Sequence, residues 1–232
     1  MRTIILFALT VLITLLFIPL ILFCFIFRCS RPLIWAGKQA LTIAPKILGI
    51  HIEVVGTDKV EKDKPYIFMS NHLSFLDGPL LFLVIPQPVR VILKKEIFRI
   101  PVIGWGMRQV DFVPVDRKGI KGGKKSIDQA VQLIEEKGYS FLIFPEGTRS
   151  LDGQLQSFRR GGFFLALNSG VSIVPISIQG TFELMPKRSF FVKRGIIKVV
   201  FHSSVSVEEY DKKNLPELIS KVQNIIREGF TK

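Results

Sequence analysis

The sequence predicts an α/β fold with a mainly parallel central sheet flanked by helices, preceded by an N-terminal hydrophobic anchoring helix or two-helix hairpin. Short apolar runs alternate with amphipathic stretches after residue 50, and that alternation is typical of a parallel sheet covered by helices. Residues 1–50 are strongly apolar. The 232 residues suffice for one sizeable domain, and an apolar content of 48% excludes a disordered chain.

The predicted strands all lie after residue 50. In chain order they cover residues 51–55, 66–70, 89–93, 110–115, 139–144, 172–178 and 196–202. Helices are predicted over Ser126–Lys137 and Pro216–Phe230, and another is expected to begin after Ser74, a good N-cap residue. We therefore divide the chain into N-terminal anchoring helices over residues 1–50 and one globular domain over residues 51–232.

The N-terminal segment carries no charged residue from Thr3 to Phe27. A helix of that length would reach roughly 38 Å, which exceeds the hydrocarbon core of about 30 Å, so the segment can span a bilayer with tilt. A cleavable signal peptide would have a shorter apolar stretch and a small-residue cleavage site. More basic residues follow the segment than precede it, which predicts a membrane protein whose globular part lies on the cytoplasmic face.

A second apolar stretch, Leu33–Ile50, is interrupted by single lysines. It is typical of a helix that lies in the membrane interface and pairs with the first helix. Pro19, near the middle of the first segment, equally allows a monotopic hairpin in which neither helix crosses the membrane. The sequence leaves both arrangements open.

The net charge of +13, beside a membrane segment, predicts attraction to anionic phospholipid. No nucleic-acid partner is expected, because the basic residues are scattered and no recognised binding motif accompanies them. The only two cysteines, Cys24 and Cys29, lie in or beside the apolar segment and have no partners at metal-ligand spacing. Neither a disulfide framework nor a metal site is therefore expected.

A histidine and an aspartate follow the predicted strand 66–70. On a regular helix His72 and Asp77 would be about 140° apart, so only a turn can bring them together. If the helix begins after Ser74, the His72 ring lies just outside it and can fold back toward the Asp77 carboxylate. Such a carboxylate fixes the imidazole tautomer and leaves the other nitrogen free to remove a proton. The alternative is that Asp77 only caps the helix and His72 is a loop residue.

A second polar cluster, Phe144–Ser150, follows the predicted strand 139–144. It contains a carboxylate, Glu146, a glycine suited to close approach, Gly147, and an arginine able to bind an anion through two hydrogen bonds, Arg149. Alone it is compatible with a surface turn. Because both clusters follow strands, a parallel sheet would bring them to the same edge.

The two clusters together resemble the glycerolipid acyltransferase family, in particular its members that acylate 1-acyl-sn-glycerol 3-phosphate. His-x-x-x-x-Asp, followed by Phe-Pro-Glu-Gly-Thr-Arg-Ser, is similar to that family's motifs in order and spacing. Two weaker blocks resemble it as well, Phe112–Arg117 between the clusters and Val174–Ile178 after them. The resemblance covers residues 66–180.

The resemblance implies transfer of a fatty acyl group from a thioester donor, acyl-CoA or acyl-acyl carrier protein, to the free hydroxyl of lysophosphatidic acid, giving phosphatidic acid without a metal or cofactor. It implies that His72 is the general base and Asp77 its orienting carboxylate. The substrate-binding residues that it implies are Arg117, Glu146, Gly147, Thr148 and Arg149.

Three alternatives remain. The acceptor could be glycerol 3-phosphate or another lysolipid, and a non-catalytic protein that binds anionic membranes is a possibility from another class. A lipid hydrolase is disfavoured, because the chain has no Gly-x-Ser-x-Gly elbow.

Overall fold

The computed structural model describes residues 2–27, 29–116, 120–189 and 191–231. Two helices, α1 (Arg2–Ile26) and α2 (Arg31–Leu48), precede the first strand, β1 (Ile50–Val55). The remaining elements alternate along the chain: β2 (Ile67–Ser70), α3 (Asp77–Val84), β3 (Val89–Lys94), α4 (Ile103–Gln109), β4 (Val113–Val115), α5 (Ile120–Lys137), β5 (Ser140–Ile143), α6 (Gly161–Ser169), β6 (Ile173–Gln179), α7 (Thr181–Leu184), β7 (Gly195–Phe201) and α8 (Leu215–Thr231).

The strands form one seven-stranded sheet in the order β1-β7-β6-β2-β5-β3-β4. Among the described residues every pairing is parallel except that of β6 with β7. The prediction of a mainly parallel sheet is therefore confirmed. β2 is the middle strand, with β6 on one side and β5 on the other, and all of its residues are buried.

Both faces of the sheet are covered by apolar side chains. Phe68 of β2 packs into one core cluster with Leu81 of α3, whereas its neighbour Met69 packs into the other with Phe163 of α6 and Leu218 of α8. Successive strand residues point to opposite faces, and each face buries a separate cluster. The apolar runs without alternation that predicted the strands are explained by this burial on both sides.

Two boundaries differ from the predictions by three residues or more. The predicted strand 110–115 is only Val113–Val115, because α4 continues to Gln109 and Asp111 takes a φ of 57° as its N–H donates to the Arg108 carbonyl oxygen. Helix α5 begins at Ile120 rather than at Ser126. Gly122 lies inside this helix. A Cβ on it would lie 2.7 Å from the Asp116 side chain, so the glycine allows Asp116 to pack closely against α5.

The N-terminal helices pack together and against α4. Ile21 and Cys24 of α1, Leu33 of α2 and Val110 after α4 form a third, small core cluster. The pairing of the two helices therefore agrees with the prediction. Among the side chains that the structure describes, no helix has both the length and the apolar character needed to cross a membrane.

Candidate active site

The two polar clusters lie side by side at one edge of the sheet. β2 and β5 are adjacent and parallel, with Ile67 opposite Phe141 and Met69 opposite Ile143. Each cluster follows the end of its strand, so both leave the sheet at the same edge, as the parallel arrangement predicts.

The His72 ring contacts the Asp77 carboxylate. His72 Nδ1 lies 2.9 Å from Asp77 Oδ2, and the aspartate is fully buried. In the neutral imidazole, an Nδ1 that donates to the carboxylate leaves Nε2 as the nitrogen with the free lone pair. The His72 side chain is 21% exposed. The pair has the geometry of a base and its orienting carboxylate.

The same carboxylate also organises the start of α3. Asp77 Oδ2 accepts the N–H groups of Leu73 and Ser74, both at 2.7 Å, and Ser74 Oγ accepts the N–H of Leu76. Helix α3 begins at Asp77 itself, later than predicted, because these bonds close a turn in place of the first helical residues. The Asp77 carboxylate therefore closes the turn before α3 and contacts the His72 ring through the same oxygen, Oδ2.

The Phe144–Ser150 cluster fixes His72 from three directions. The His72 ring stacks on Phe144, with ring centroids 4.0 Å apart and an interplanar angle of 18°. The His72 N–H donates to Glu146 Oε1 at 2.6 Å, and the His72 carbonyl oxygen accepts the Ser150 N–H at 2.8 Å. Ring and backbone are both held, so the two clusters form one unit.

Glu146 is buried, with 2% of its surface exposed, and both of its oxygens are occupied by protein donors. Oε2 accepts the backbone N–H and the side-chain amide of Gln156, each at 3.0 Å. Burial raises the pKa of Glu146 above its ordinary value, as does the negative charge of Asp77, while the hydrogen bonds from His72 and Gln156 lower it. These contacts suit Glu146 to position His72. The family resemblance also implies substrate contact, which the Glu146→Gln variant tests.

Cationic side chains gather at the turn formed by residues 147–149. Gly147 has a φ of 73°, and a Cβ on it would lie 2.9 Å from the Arg159 side chain. Lys187 Nζ donates to Thr148 Oγ1 at 3.0 Å and to the Arg149 carbonyl oxygen at 2.9 Å. With the Arg149 guanidinium, three positive side chains belong to or contact this turn, which suits it to bind an anion.

Arg117, the remaining predicted site residue, lies outside the described residues. Its neighbour Asp116 forms an ion pair with Lys95, which follows β3 at the same edge of the sheet. Among the described residues no cluster of three or more His, Cys, Asp or Glu side chains could hold a metal ion.

Three residues of the site were not predicted. Asn71 is fully buried, its Nδ2 donates to the Ile178 carbonyl oxygen and its Oδ1 accepts the Ile178 N–H, both at 2.8 Å. A polar residue at the end of a buried strand, directly before His72, was the available signal. Gln156 and Lys187 lie in loops outside every motif, and no sequence pattern marks them.

The fold and the contact between His72 and Asp77 are those of one class of protein. A family model described as acyltransferase matches residues 51–179, more than half of the chain. The chain therefore belongs to the acyltransferase family. It is 36% identical over 162 residues to the chloroplastic 1-acyl-sn-glycerol-3-phosphate acyltransferase LPAT1 of Arabidopsis thaliana, a match that covers 69% of this chain and 45% of that protein.

Other similar proteins have names of the same kind. The chain is 30% identical over 186 residues to the 1-acyl-sn-glycerol-3-phosphate acyltransferase of Borreliella burgdorferi, covering 78% of this chain and 74% of that one. It spans less than half the length of the chloroplastic relatives that it matches. The crystal structure of the 1-acyl-sn-glycerophosphate acyltransferase PlsC from Thermotoga maritima has the same fold, with a TM-score of 0.83 at 24% identity over 98% of this chain and 92% of that chain.

A Glu146→Gln variant separates the positioning role from substrate contact. The amide can still accept the His72 N–H but presents a donor to the two donors of Gln156, so His72 should shift and kcat should fall by roughly tenfold or more. The acceptor KM should change little. A large rise in acceptor KM with unchanged kcat would instead support direct substrate contact.

The same variant tests the pKa of Glu146. A raised pKa means that the folded protein holds this proton more tightly than the unfolded chain does, so ionisation destabilises the fold. As pH rises through the ordinary value of 4.5 and above, the unfolding free energy of the wild type should therefore fall relative to that of Glu146→Gln. Denaturant titrations of both proteins across that range provide the measurement.

Proposed function

We propose that this chain transfers a fatty acyl group from acyl-CoA or acyl-acyl carrier protein to the free hydroxyl of 1-acyl-glycerol 3-phosphate, giving phosphatidic acid and the free thiol of the carrier. The observation that carries the proposal is the His72–Asp77 pair, in which Nδ1 faces the carboxylate and Nε2 faces away from it, beside a cationic turn. The names of the relatives from Arabidopsis and Borreliella support lysophosphatidic acid as the acceptor.

In this proposal His72 Nε2 removes the proton of the acceptor hydroxyl as its oxygen attacks the thioester carbonyl carbon. The tetrahedral intermediate then breaks its carbon–sulfur bond, and the proton held by His72 passes to the departing thiolate. Asp77 stabilises the imidazolium that forms between these steps. A positioned base of this kind contributes about 10² to 10⁴ in rate.

The cationic turn would hold the phosphate of the acceptor. Arg149 offers a planar fork for two phosphate oxygens, and Lys187 and Arg159 add positive charge to the turn. Ser150, the next residue after Arg149, bonds the His72 carbonyl oxygen, so phosphate binding and base positioning share one loop. The family resemblance adds Arg117 to the phosphate ligands. We expect neither a metal nor a cofactor in this reaction.

A product assay tests the proposal. The purified full chain is incubated with labelled acyl-CoA or acyl-acyl carrier protein and, in parallel, lysophosphatidic acid, glycerol 3-phosphate or a zwitterionic lysolipid. Phosphatidic acid should be the main product. Free fatty acid alone would indicate a hydrolase, and the absence of any product together with vesicle binding would favour a non-catalytic membrane protein.

We also expect direct transfer within a ternary complex, without an acyl-enzyme. Ser74, two residues after His72, is fully buried, and its Oγ donates to the Met185 carbonyl oxygen at 2.7 Å. It is therefore a poor candidate for an attacking nucleophile. Two-substrate kinetics should give intersecting lines in double-reciprocal plots. Parallel lines, or an acyl adduct on Ser74 in mass spectra of the quenched enzyme, would contradict direct transfer.

We further propose that α1 and α2 anchor the chain at a phospholipid membrane, with residues 51–232 as a catalytic domain on the cytoplasmic face and no nucleic-acid partner. Both tryptophans of the chain support this, because Trp35 on α2 is 66% exposed and Trp105 on α4 is 56% exposed. These helices pack against α1, and exposed tryptophans are typical of the membrane–water interface. The protein should stay with membranes after a carbonate wash; release into the supernatant would contradict the anchor.

A further inference from the structure

An open cleft lies near the edge of the sheet at which the parallel strands begin, opposite the edge that carries His72. It has a volume of about 870 Å³ and is lined by the end of α1, the end of α4 and the connection from α5 to β5. Tyr139, one of its lining residues, precedes β5, whereas Phe144 of the active site follows β5. The cleft is therefore separate from the catalytic loops.

The lining combines apolar and positively charged side chains. Phe25 and Ile26, at the end of α1, are 67% and 70% exposed. Arg31, Arg108 and Lys137 bring three cations, and the acidic residue of the lining, Asp111, pairs with Lys137 at 2.8 Å. The cleft thus has an excess of positive charge beside an apolar surface.

A buried arginine lies beneath this lining. Arg90 of β3 is 3% exposed, and its guanidinium carbon lies 3.7 Å from the centroid of the Tyr139 ring. Its Nη1 donates to the Val89 carbonyl oxygen at 3.0 Å. Among the described residues its Nε has no hydrogen-bond partner and no carboxylate forms an ion pair with it. A buried charge without a counter-ion is costly, so an anion bound nearby would stabilise the fold.

The charge of Arg90 acts on the surrounding lysines. Burial lowers the pKa of Lys38 on α2, and the positive charge of Arg90 lowers it further. The hydrogen bond to Asp111 raises the pKa of Lys137, and the charge of Arg90 opposes that rise. The charge of Arg90 therefore adds to the positive electrostatic potential in the cleft.

The position of the cleft indicates the source of the anion. This step rests on the membrane association proposed above. If α1 enters the membrane, its exposed end at Phe25 and Ile26 lies near the headgroup region, and the cations of the adjoining cleft lie at the depth of the lipid phosphates. A lipid at this point could place its acyl chains along the apolar end of α1 and its phosphate among the cations.

The structure assigns this cleft as a binding site for the headgroup of one anionic phospholipid, held by Arg31, Arg108 and Lys137 and distinct from the site of the acyl acceptor. Charge complementarity and continuity with the exposed end of α1 select a bilayer lipid as the occupant.

Native mass spectrometry of the full chain, released from neutral detergent micelles, tests the assignment. Micelles contain either phosphatidylglycerol or phosphatidylcholine as probe. The wild type should retain one phosphatidylglycerol molecule. The double variant Arg31→Gln/Arg108→Gln should bind it roughly 25-fold more weakly, at about fivefold for each charge near a lipid surface. The matched control, Lys212→Gln/Lys213→Gln, removes two exposed charges from the turn before α8 and should retain the lipid.

Vesicle flotation separates this inference from the membrane association itself. All three proteins, shown to be folded by their melting temperatures, should float with phosphatidylcholine vesicles. Added phosphatidylglycerol should strengthen binding of the wild type and of the control clearly more than binding of the cleft variant. Equal losses in the cleft variant and the control would show generic charge attraction and overturn the site. The absence of a lipid adduct on the wild type would overturn it as well. Failure to float with either vesicle would contradict the anchor and the inference together.

Discussion

A His72→Ala variant is expected to lower kcat by at least about 10² while the protein stays folded. The ring is the group that would accept the hydroxyl proton, and alanine removes it. The His72 backbone, which bonds Glu146 and Ser150, is unchanged by this substitution, so the loop should keep its shape. Turnover of saturating acceptor and donor, measured beside the melting temperature, provides the result.

Asp77 should behave as part of the same unit. An Asp77→Asn side chain can still accept the N–H groups of Leu73 and Ser74 through its oxygen, but it cannot stabilise an imidazolium. We expect a loss in kcat of the same order as for His72→Ala, with a small change in melting temperature. Asp77→Ala should in addition destabilise the fold, because each buried N–H left unpaired costs about 1 to 3 kcal/mol. The double variant His72→Ala/Asp77→Asn should be little worse than the poorer single variant.

The matched control is His51→Ala, since His51 is an exposed histidine on β1, outside the site. It should leave kcat unchanged. Near-normal turnover in a folded Asp77→Asn protein would reduce Asp77 to a helix cap and would defeat the assignment of the pair as base and orienter.

Arg149→Ala is expected to raise the acceptor KM by roughly ten- to a hundredfold, since a charge-assisted hydrogen bond contributes about 1.5 to 3 kcal/mol. The donor KM should change little, because the proposal assigns the cationic turn to the acceptor phosphate. Arg149→Lys should recover part of the loss, as a lysine keeps the charge but not the two parallel hydrogen bonds. Initial rates with each substrate varied in turn give both constants.

Arg227→Ala removes an exposed arginine from α8 and serves as the control, with both KM values expected to stay as in the wild type. A rise in donor KM without a rise in acceptor KM would assign the turn to the phosphates of the acyl carrier instead.

The arrangement of the two clusters was predictable from sequence, because it depends only on strands and their direction. Both clusters follow apolar runs, and parallel strands carry their ends to one edge of a sheet. The contact between His72 and Asp77 was predictable for a similar reason, since it spans a single turn. The sequence could not separate a structural role of Asp77 from orientation of the His72 ring. The geometry shows why, because the oxygen beside the ring also accepts the backbone N–H groups of the turn before α3.

Contacts between distant loops were not predictable. Gln156 donates hydrogen bonds to Glu146, and Lys187 donates to the Arg149 carbonyl oxygen. Such contacts depend on tertiary packing and leave no periodic pattern in the sequence. The bonds of Glu146 to His72 and Gln156 could not be foreseen for this reason, because the motif marks the residue but not its partners. The start of α5 was placed too late since Gly122 and Gly123 are typical of a loop, whereas Gly122 here permits packing against Asp116.

The central place of β2 has a consequence for local opening of the structure. Amides of a buried strand with a neighbour on each side exchange with solvent only in the largest unfolding events, whereas amides of irregular segments exchange through small local openings. His72 follows β2 directly, and Asn71 fastens that end to β6. The stretch 144–160 lies outside any strand or helix. Amides of β2 are therefore expected to exchange more slowly than most amides of the stretch 144–160, and the bonds from Glu146 and Ser150 to His72 link the two regions.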